Sequence, residues 1–192
     1  MNTFRTLLLS VLSAATFGVS SLASAQSSPL PYTLQLERGI ASITTLQQRD
    51  EAVRLFSAHL ALWSAANPKE YPYADLLTDD AVYEYPYANN DSGLRVEGRN
   101  SVATIVRDLP GAAIDWQFHD VKLFETPHPD VFFVEYRANA YVPATHRLYE
   151  GRHIARITVR DGHIADYLEV WDRAARDLAF GPDSKAKVAS LR

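Results

Sequence analysis

The chain has 192 residues and a formal net charge of −4, with 19 Lys and Arg against 23 Asp and Glu, which argues against a nucleic-acid partner, since that normally needs a basic face. Cysteine is absent, which excludes disulfide staples, thiol catalysis and a lipid-modified cysteine. Stability therefore has to come from one hydrophobic core, and the length suits a single domain.

Residues 1–25 read as a secretory signal peptide: a short basic start ending at Arg5, a mostly apolar or small run over 6–19, and the small-x-small site Ala23-Ser24-Ala25. Cleavage is expected after Ala25, giving a periplasmic or secreted chain. The apolar run is shorter than the roughly 20 residues a membrane span needs, so no membrane insertion is expected after cleavage. Residues 26–44, with Pro29 and Pro31, read as a linker or an N-terminal arm laid over the body.

From Thr45 the pattern turns helical. Thr45-Leu46-Gln47-Gln48 fits a capping box, Val53, Phe56, Leu60 and Trp63 recur at helical spacing, and Asn67-Pro68 ends the run. A short second helix is expected around 73–77, then a strand in "AVYEYPYA" closed by Pro86, a loop in "NNDSGLRVEG" and a helix in "RNSVATIVRDLP". After Gly111 come four long runs rich in β-branched and aromatic residues: "IDWQFHDVKLFET", "DVFFVEYRANAYV", "HRLYEGRHIARITVR" and "HIADYLEVWD". Helices followed by an antiparallel sheet predict an α+β fold, with a strongly curved sheet wrapped around the long N-terminal helix.

The order of elements resembles the cone-shaped fold of nuclear transport factor 2, ketosteroid isomerase, scytalone dehydratase and the SnoaL-like polyketide cyclases. "YEYPYA" followed by "LRVEGRNSV" is similar to the SnoaL-like pattern of an aromatic-Pro-aromatic-Ala strand, a loop and a Glu-Gly-Arg helix start. From Asp115 the likeness narrows, because "DWQFHDVKLFETPHPDVFFVE" and "DGHIADYLEVWD" resemble the phenazine-biosynthesis A/B family. The resemblance covers about residues 45–175. The expected organisation is signal peptide 1–25, linker or N-terminal arm 26–44, cone domain 45–180 and C-terminal tail 181–192.

Alternation in the last strand sends Tyr167, Glu169 and Trp171 to one face. A carboxylate among aromatic rings has to be paired, hydrogen-bonded or neutralised by a raised pKa. The phenazine resemblance implies that Glu169 is an acid/base group pointing into the cone, with a pKa raised towards neutrality; the other reading is a buried pair with Arg137 or Arg156. The same resemblance implies a histidine in the helix after Gly98-Arg99, and the position matching it is Ile105. The ketosteroid isomerases carry an aspartate before the strand proline, where this chain has Tyr85. Tyr83, Tyr85 and Tyr87 alternate onto one face, and either they line the core or Tyr83 or Tyr85 donates a hydrogen bond to a substrate oxygen.

His59 and Trp63, at i and i+4 of the long helix, cover one patch, with His59 read first as a packed residue. His153 is a weak candidate for the cone interior and His119 a weaker one, grouped by alternation with Asp115, Gln117 and Val121. The candidate catalytic set is thus Glu169, Tyr85 and Tyr83, and the candidate ligand-binding set is His59, Trp63, Tyr167, Trp171, Ile105 and His153. The histidines are scattered and there is no phosphate cradle or nucleophile elbow, so no metal and no cofactor are expected. The expected partner is a small apolar or aromatic ligand. A homodimer through the sheet is expected, with Phe132, Val134 and Tyr136 taken as its apolar outer face. Two functions remain open: proton-transfer chemistry (isomerisation, cyclisation or dehydration) on a cyclic or aromatic carbonyl compound, or ligand binding without catalysis.

Overall fold

The structure is a computed structural model, which describes residues 34–37, 44–88 and 93–181. The signal peptide, most of the arm, and the tail after Gly181 lie outside the described residues.

The capping box forms as the sequence predicts. Thr45 Oγ1 accepts the Gln48 N–H at 3.2 Å, Gln48 Oε1 accepts the Thr45 N–H at 2.9 Å, and helix α1 runs Leu46–Trp63. Its inward stripe of Ala52, Leu55, Phe56, His59 and Leu60 is buried. Helix α1 stops at Trp63, and Asn67-Pro68 opens a separate 3₁₀ turn over 68–70. The expected second helix is a 3₁₀ turn, Tyr73–Leu76, and the next strand begins directly after it.

Seven strands form one mixed sheet among the described residues: β1 (Leu34–Glu37), β2 (Leu77–Tyr85), β3 (Leu94–Glu97), β4 (Ile114–Glu125), β5 (Val131–Val142), β6 (Arg147–Arg160) and β7 (His163–Trp171), in the order β1-β4-β5-β6-β7-β2-β3. The pairings β1·β4 and β2·β7 are parallel and the rest antiparallel. Helix α2 (Arg99–Asp108) packs by β2, and α3 (Arg173–Phe180) packs on β6. The result is the α+β cone, with the long α1 helix in its concavity.

Three further elements differ from expectation. Part of the presumed arm is strand β1, which extends the sheet beside β4. The presumed loop contains β3, whose Leu94 and Val96 alternate inward against β2. The chain after β7 turns into α3, capped by Asp172 Oδ1 accepting the Ala175 N–H at 3.0 Å. By contrast the β6–β7 turn is as its dipeptide requires: Asp161 and Gly162 both have positive φ, 50° and 74°, the geometry of an Asp-Gly hairpin turn.

Parity along β4 changes at a bulge. Asp120 has φ 52° and the β4·β5 register shifts between His119 and Lys122, so Trp116 and Phe118 face in and Val121, Leu123 and Glu125 face in again after the extra residue. His119 is exposed and Val121 buried, so alternation without the bulge groups them wrongly. Phe132, Val134 and Tyr136 are buried on the inner face of β5 and do not form an outer surface. The outer face carries Phe133 and Ile154, each 45% exposed, among charged pairs such as Arg156–Asp166. Tyr87 leaves the strand at the Pro86 turn and is exposed.

Candidate functional site

A cavity of about 530 Å³ opens at one end of the cone. Its walls come from the end of α1 (Trp63), β2 (Tyr85), β4 (Trp116), β6 (Tyr149, His153), β7 (Glu169, Trp171) and α3 (Arg176, Phe180), with Lys69 and Asp108 also on the wall. All three tryptophans of the chain line it. Such an aromatic cup with a few polar groups is the usual form of a small-molecule site.

The polar centre is Glu169, 4% exposed. In the β6·β7 register Ala155 lies opposite Glu169 and His153 opposite Trp171, so His153 and Glu169 are diagonal neighbours on one face. Nδ1 of His153 lies 2.8 Å from Glu169 Oε1, and the Tyr136 hydroxyl donates to the same oxygen. Burial pushes the Glu169 pKa up, but the hydrogen bond and charge of His153, the charge of His59 and the bond from Tyr136 outweigh it, and the pKa falls below the ordinary carboxylate value. This corrects the expectation of a raised pKa. Glu169 is also not tied to an arginine: Arg156 pairs with Asp166 at 2.8 Å, and Arg137 lies 3.9 Å from Asp120.

The outer nitrogen of His153, Nε2, lies 2.8 Å from the Tyr149 hydroxyl, and the Tyr136 ring stacks on the imidazole with centroids 4.6 Å apart. Beneath the wall a second set of hydrogen bonds runs from Tyr167 to His59 Nε2 at 3.2 Å, from His59 Nδ1 to Tyr73, and from Tyr73 to Tyr83 at 2.7 Å. Buried polar groups are satisfied here by one another. Full burial holds the His59 pKa down at about 4, against the pull of the Glu169 charge.

The structure therefore divides the candidate residues into a cavity wall and a layer beneath it. Glu169, Tyr85, Trp63, Trp171 and His153 are on the wall. Tyr83, Tyr167 and His59 are fully buried behind it and do not line the cavity, and they bond to one another or to Tyr73. His59 sits one helical turn below Trp63, about 6 Å along the axis. Ile105 is half-buried on α2, packs against the core and is not on the wall.

Tyr85 differs from Tyr83 in the feature that matters for a ligand. Its hydroxyl is buried and has no partner, as are the indole N–H groups of Trp63 and Trp171. An unpartnered buried donor costs about 1–3 kcal/mol, and three residues of this wall each carry one that the protein itself does not satisfy. Burial, then the negative charge of Glu169, pushes the Tyr85 pKa well above that of a free phenol, so it remains a donor.

Sequence reading missed Tyr136, Tyr149, Trp116, Arg176 and Phe180. Period-two alternation of Tyr149, Gly151 and His153 was the available signal for one of them; α3 announced itself only by Asp172 before a run of helix formers. Among the described residues no group of His, Asp or Glu could hold a metal ion, and no helix is long and apolar enough to cross a membrane.

Comparison with known proteins places this geometry. An uncharacterised PhzA/B-like protein of Pseudomonas aeruginosa is 28% identical over 109 residues, covering 57% of this chain and 77% of that one. Among solved structures, a Bacillus subtilis protein superposes with a TM-score of 0.61 at 24% identity, covering 70% of this chain and 95% of that one. A phenazine biosynthesis-related protein from Pseudomonas aeruginosa gives 0.59 at 17% identity, over 71% and 84%. A steroid delta-isomerase from the same species gives 0.52 at 18%, over 78% and 96%. The profile described as a SnoaL-like domain matches residues 56–167, more than half of the sequence, and the chain belongs to that family.

Proposed function

We propose that this protein binds a cyclic or aromatic carbonyl compound in the cavity and moves a proton on it, as an isomerase, cyclase or dehydratase. One observation carries the reading: a hydrogen-bonded carboxylate–imidazole pair, Glu169 and His153, shares a wall with the unpartnered hydroxyl of Tyr85. Abstracting a proton beside a carbonyl needs a base and a donor for the oxygen on which charge develops, and apolar walls strengthen both. Glu169 holds the charge, His153 carries the proton and Tyr85 donates to the oxygen. Solved structures of this fold include an enzyme named as a steroid delta-isomerase, which supports an isomerase or cyclase class.

The test uses β-tetralone, a planar ketone with acidic α-hydrogens. Proton NMR in deuterium oxide follows exchange of those hydrogens, and quenching of the three cavity tryptophans follows binding. Wild type should accelerate exchange, and Glu169→Gln should lose at least about 10²-fold of that rate while still binding. A second reading, ligand binding without catalysis, is favoured by the low pKa of Glu169, which makes it a weak base on its own. Binding with no acceleration by wild type selects it. The reading also includes export after cleavage at Ala25 and a homodimer through the outer sheet face around Phe133 and Ile154.

A further inference from the structure

The cavity wall contains a gap in side chains that seats one particular hydroxyl. Tyr149, Gly151 and His153 are successive inward positions of β6, with the small Ala140 and Ala138 opposite the first two. A Cβ added at Gly151 would lie 2.0 Å from the Tyr149 hydroxyl oxygen and 2.3 Å from Cζ. The Tyr149 ring thus lies along the strand, over the glycine, and this posture brings its hydroxyl to Nε2 of His153 at 2.8 Å. Any side chain at position 151 would evict it. The ring is held edge-on by Trp116 and Phe180, with centroids 5.9 and 5.6 Å away, and it lines the cavity.

The direction of the bonds follows from the carboxylate. An ionised Glu169 only accepts, so Nδ1 of His153 donates to Oε1, and whenever the ring is neutral this bond leaves the lone pair on Nε2. Tyr149 then donates to Nε2, and its oxygen lone pairs remain available to the cavity. The arrangement is a hydroxyl, an imidazole and a carboxylate in series, the logic by which a hydroxyl is activated in nucleophile triads. Here the hydroxyl belongs to a phenol lying flat on the wall, better suited to passing a proton than to attacking carbon. Tyr149 also occupies the one position on Nε2 that a substrate could use.

We propose that Tyr149, seated by Gly151, is the catalytic residue that exchanges the proton with substrate. As the substrate C–H bond breaks, its proton passes to the Tyr149 oxygen while the phenol hydrogen passes to Nε2. The electron pair moves into the substrate as an enolate, with its oxygen held by Tyr85, and the imidazolium is held by Glu169. Return of the proton to a second carbon reverses each transfer and completes an isomerisation without any oxidant or co-reactant. The proposal rests on the proton-transfer reading above.

The experiment measures β-tetralone exchange and binding for Tyr149→Phe, Gly151→Ala, the double variant and Glu169→Gln. Tyr141→Phe serves as control, since Tyr141 makes a similar contact, 3.0 Å to His146, on the outer face. The expected result is wild-type binding by Tyr149→Phe with exchange reduced about 10²-fold. Gly151→Ala should lose a comparable factor and the double variant no more, because the alanine acts by displacing the same phenol. Exchange by Tyr149→Phe at the wild-type rate, with Glu169→Gln inactive, overturns the proposal and leaves the proton-transfer reading standing. Loss of binding by Tyr149→Phe in proportion to its loss of exchange also overturns it, since Tyr149 would then hold ligand only. Wild type no faster than free solution overturns both. Should Gly151→Ala fail to fold, Tyr149→Phe decides alone.

Discussion

His59 makes the stability of this protein depend on pH in a window that carboxylates do not explain. The imidazole is fully buried, its two nitrogens meet Tyr73 and Tyr167, and its pKa falls from 6.5 to about 4. Between those values the unfolded chain binds a proton at this residue and the native chain does not. Stability therefore rises with pH across the window, and it is lost as pH falls from 6.5 towards 4. At about 1.4 kcal/mol per unit, the depression amounts to roughly 3 kcal/mol. With a urea slope of about 2 kcal/mol/M, the wild-type midpoint should drop by about 1 to 2 M on this account between pH 7 and pH 4. Glu169, whose folded pKa is depressed, acts lower: its contribution is present above the ordinary carboxylate value and disappears below it. The assay is a set of urea melts across pH for wild type and His59→Gln, an amide that can still donate and accept. The variant should lose most of the pH slope between 6.5 and 4. An unchanged slope would refute the assignment of that window to His59.

Other expectations are quickly checked. Arg49 meets Glu125 at 2.7 Å with side chains only 11% and 2% exposed, so Arg49→Met should cost about 3 kcal/mol in urea melts at neutral pH. Thr45→Ala removes the exposed capping box of α1 and should cost about 1 kcal/mol. Ile105→His, off the cavity wall, should leave β-tetralone quenching unchanged. Intact mass of periplasmic protein should show a chain beginning at Gln26, and light scattering at micromolar concentration should find a dimer that Phe133→Asp dissociates; a chain retaining Met1, or a monomer, would overturn those two proposals.

The fold was legible because its elements announce themselves locally. Thr45 and Gln48 cap α1, Asp161-Gly162 turns the last hairpin, and four long runs of β-branched and aromatic residues can only be strands. What failed was information held between strands. The bulge at Asp120 swaps the faces of β4, and nothing in "IDWQFHDV" declares a left-handed aspartate. Strand β3 is too short, at four residues, to show a period.

The chemistry of the site divides along the same line. That Glu169 faces inward with Tyr167 and Trp171 follows from alternation alone, but whether burial raises its pKa or partners lower it depends on which residues of β5 and β6 come diagonal to it. A shift of the β6·β7 register by one residue would turn His153 outward and leave a bare buried carboxyl, the protonated acid that the sequence suggests. The actual register delivers His153 Nδ1 and the Tyr136 hydroxyl to one oxygen, and these partners hold the Glu169 pKa below the ordinary carboxylate value. On the reading proposed above, a histidine at Ile105 is not needed, because an imidazole arrives on β6 two residues from Gly151, and β6 carries Tyr149, Gly151 and His153 as one alternating triplet.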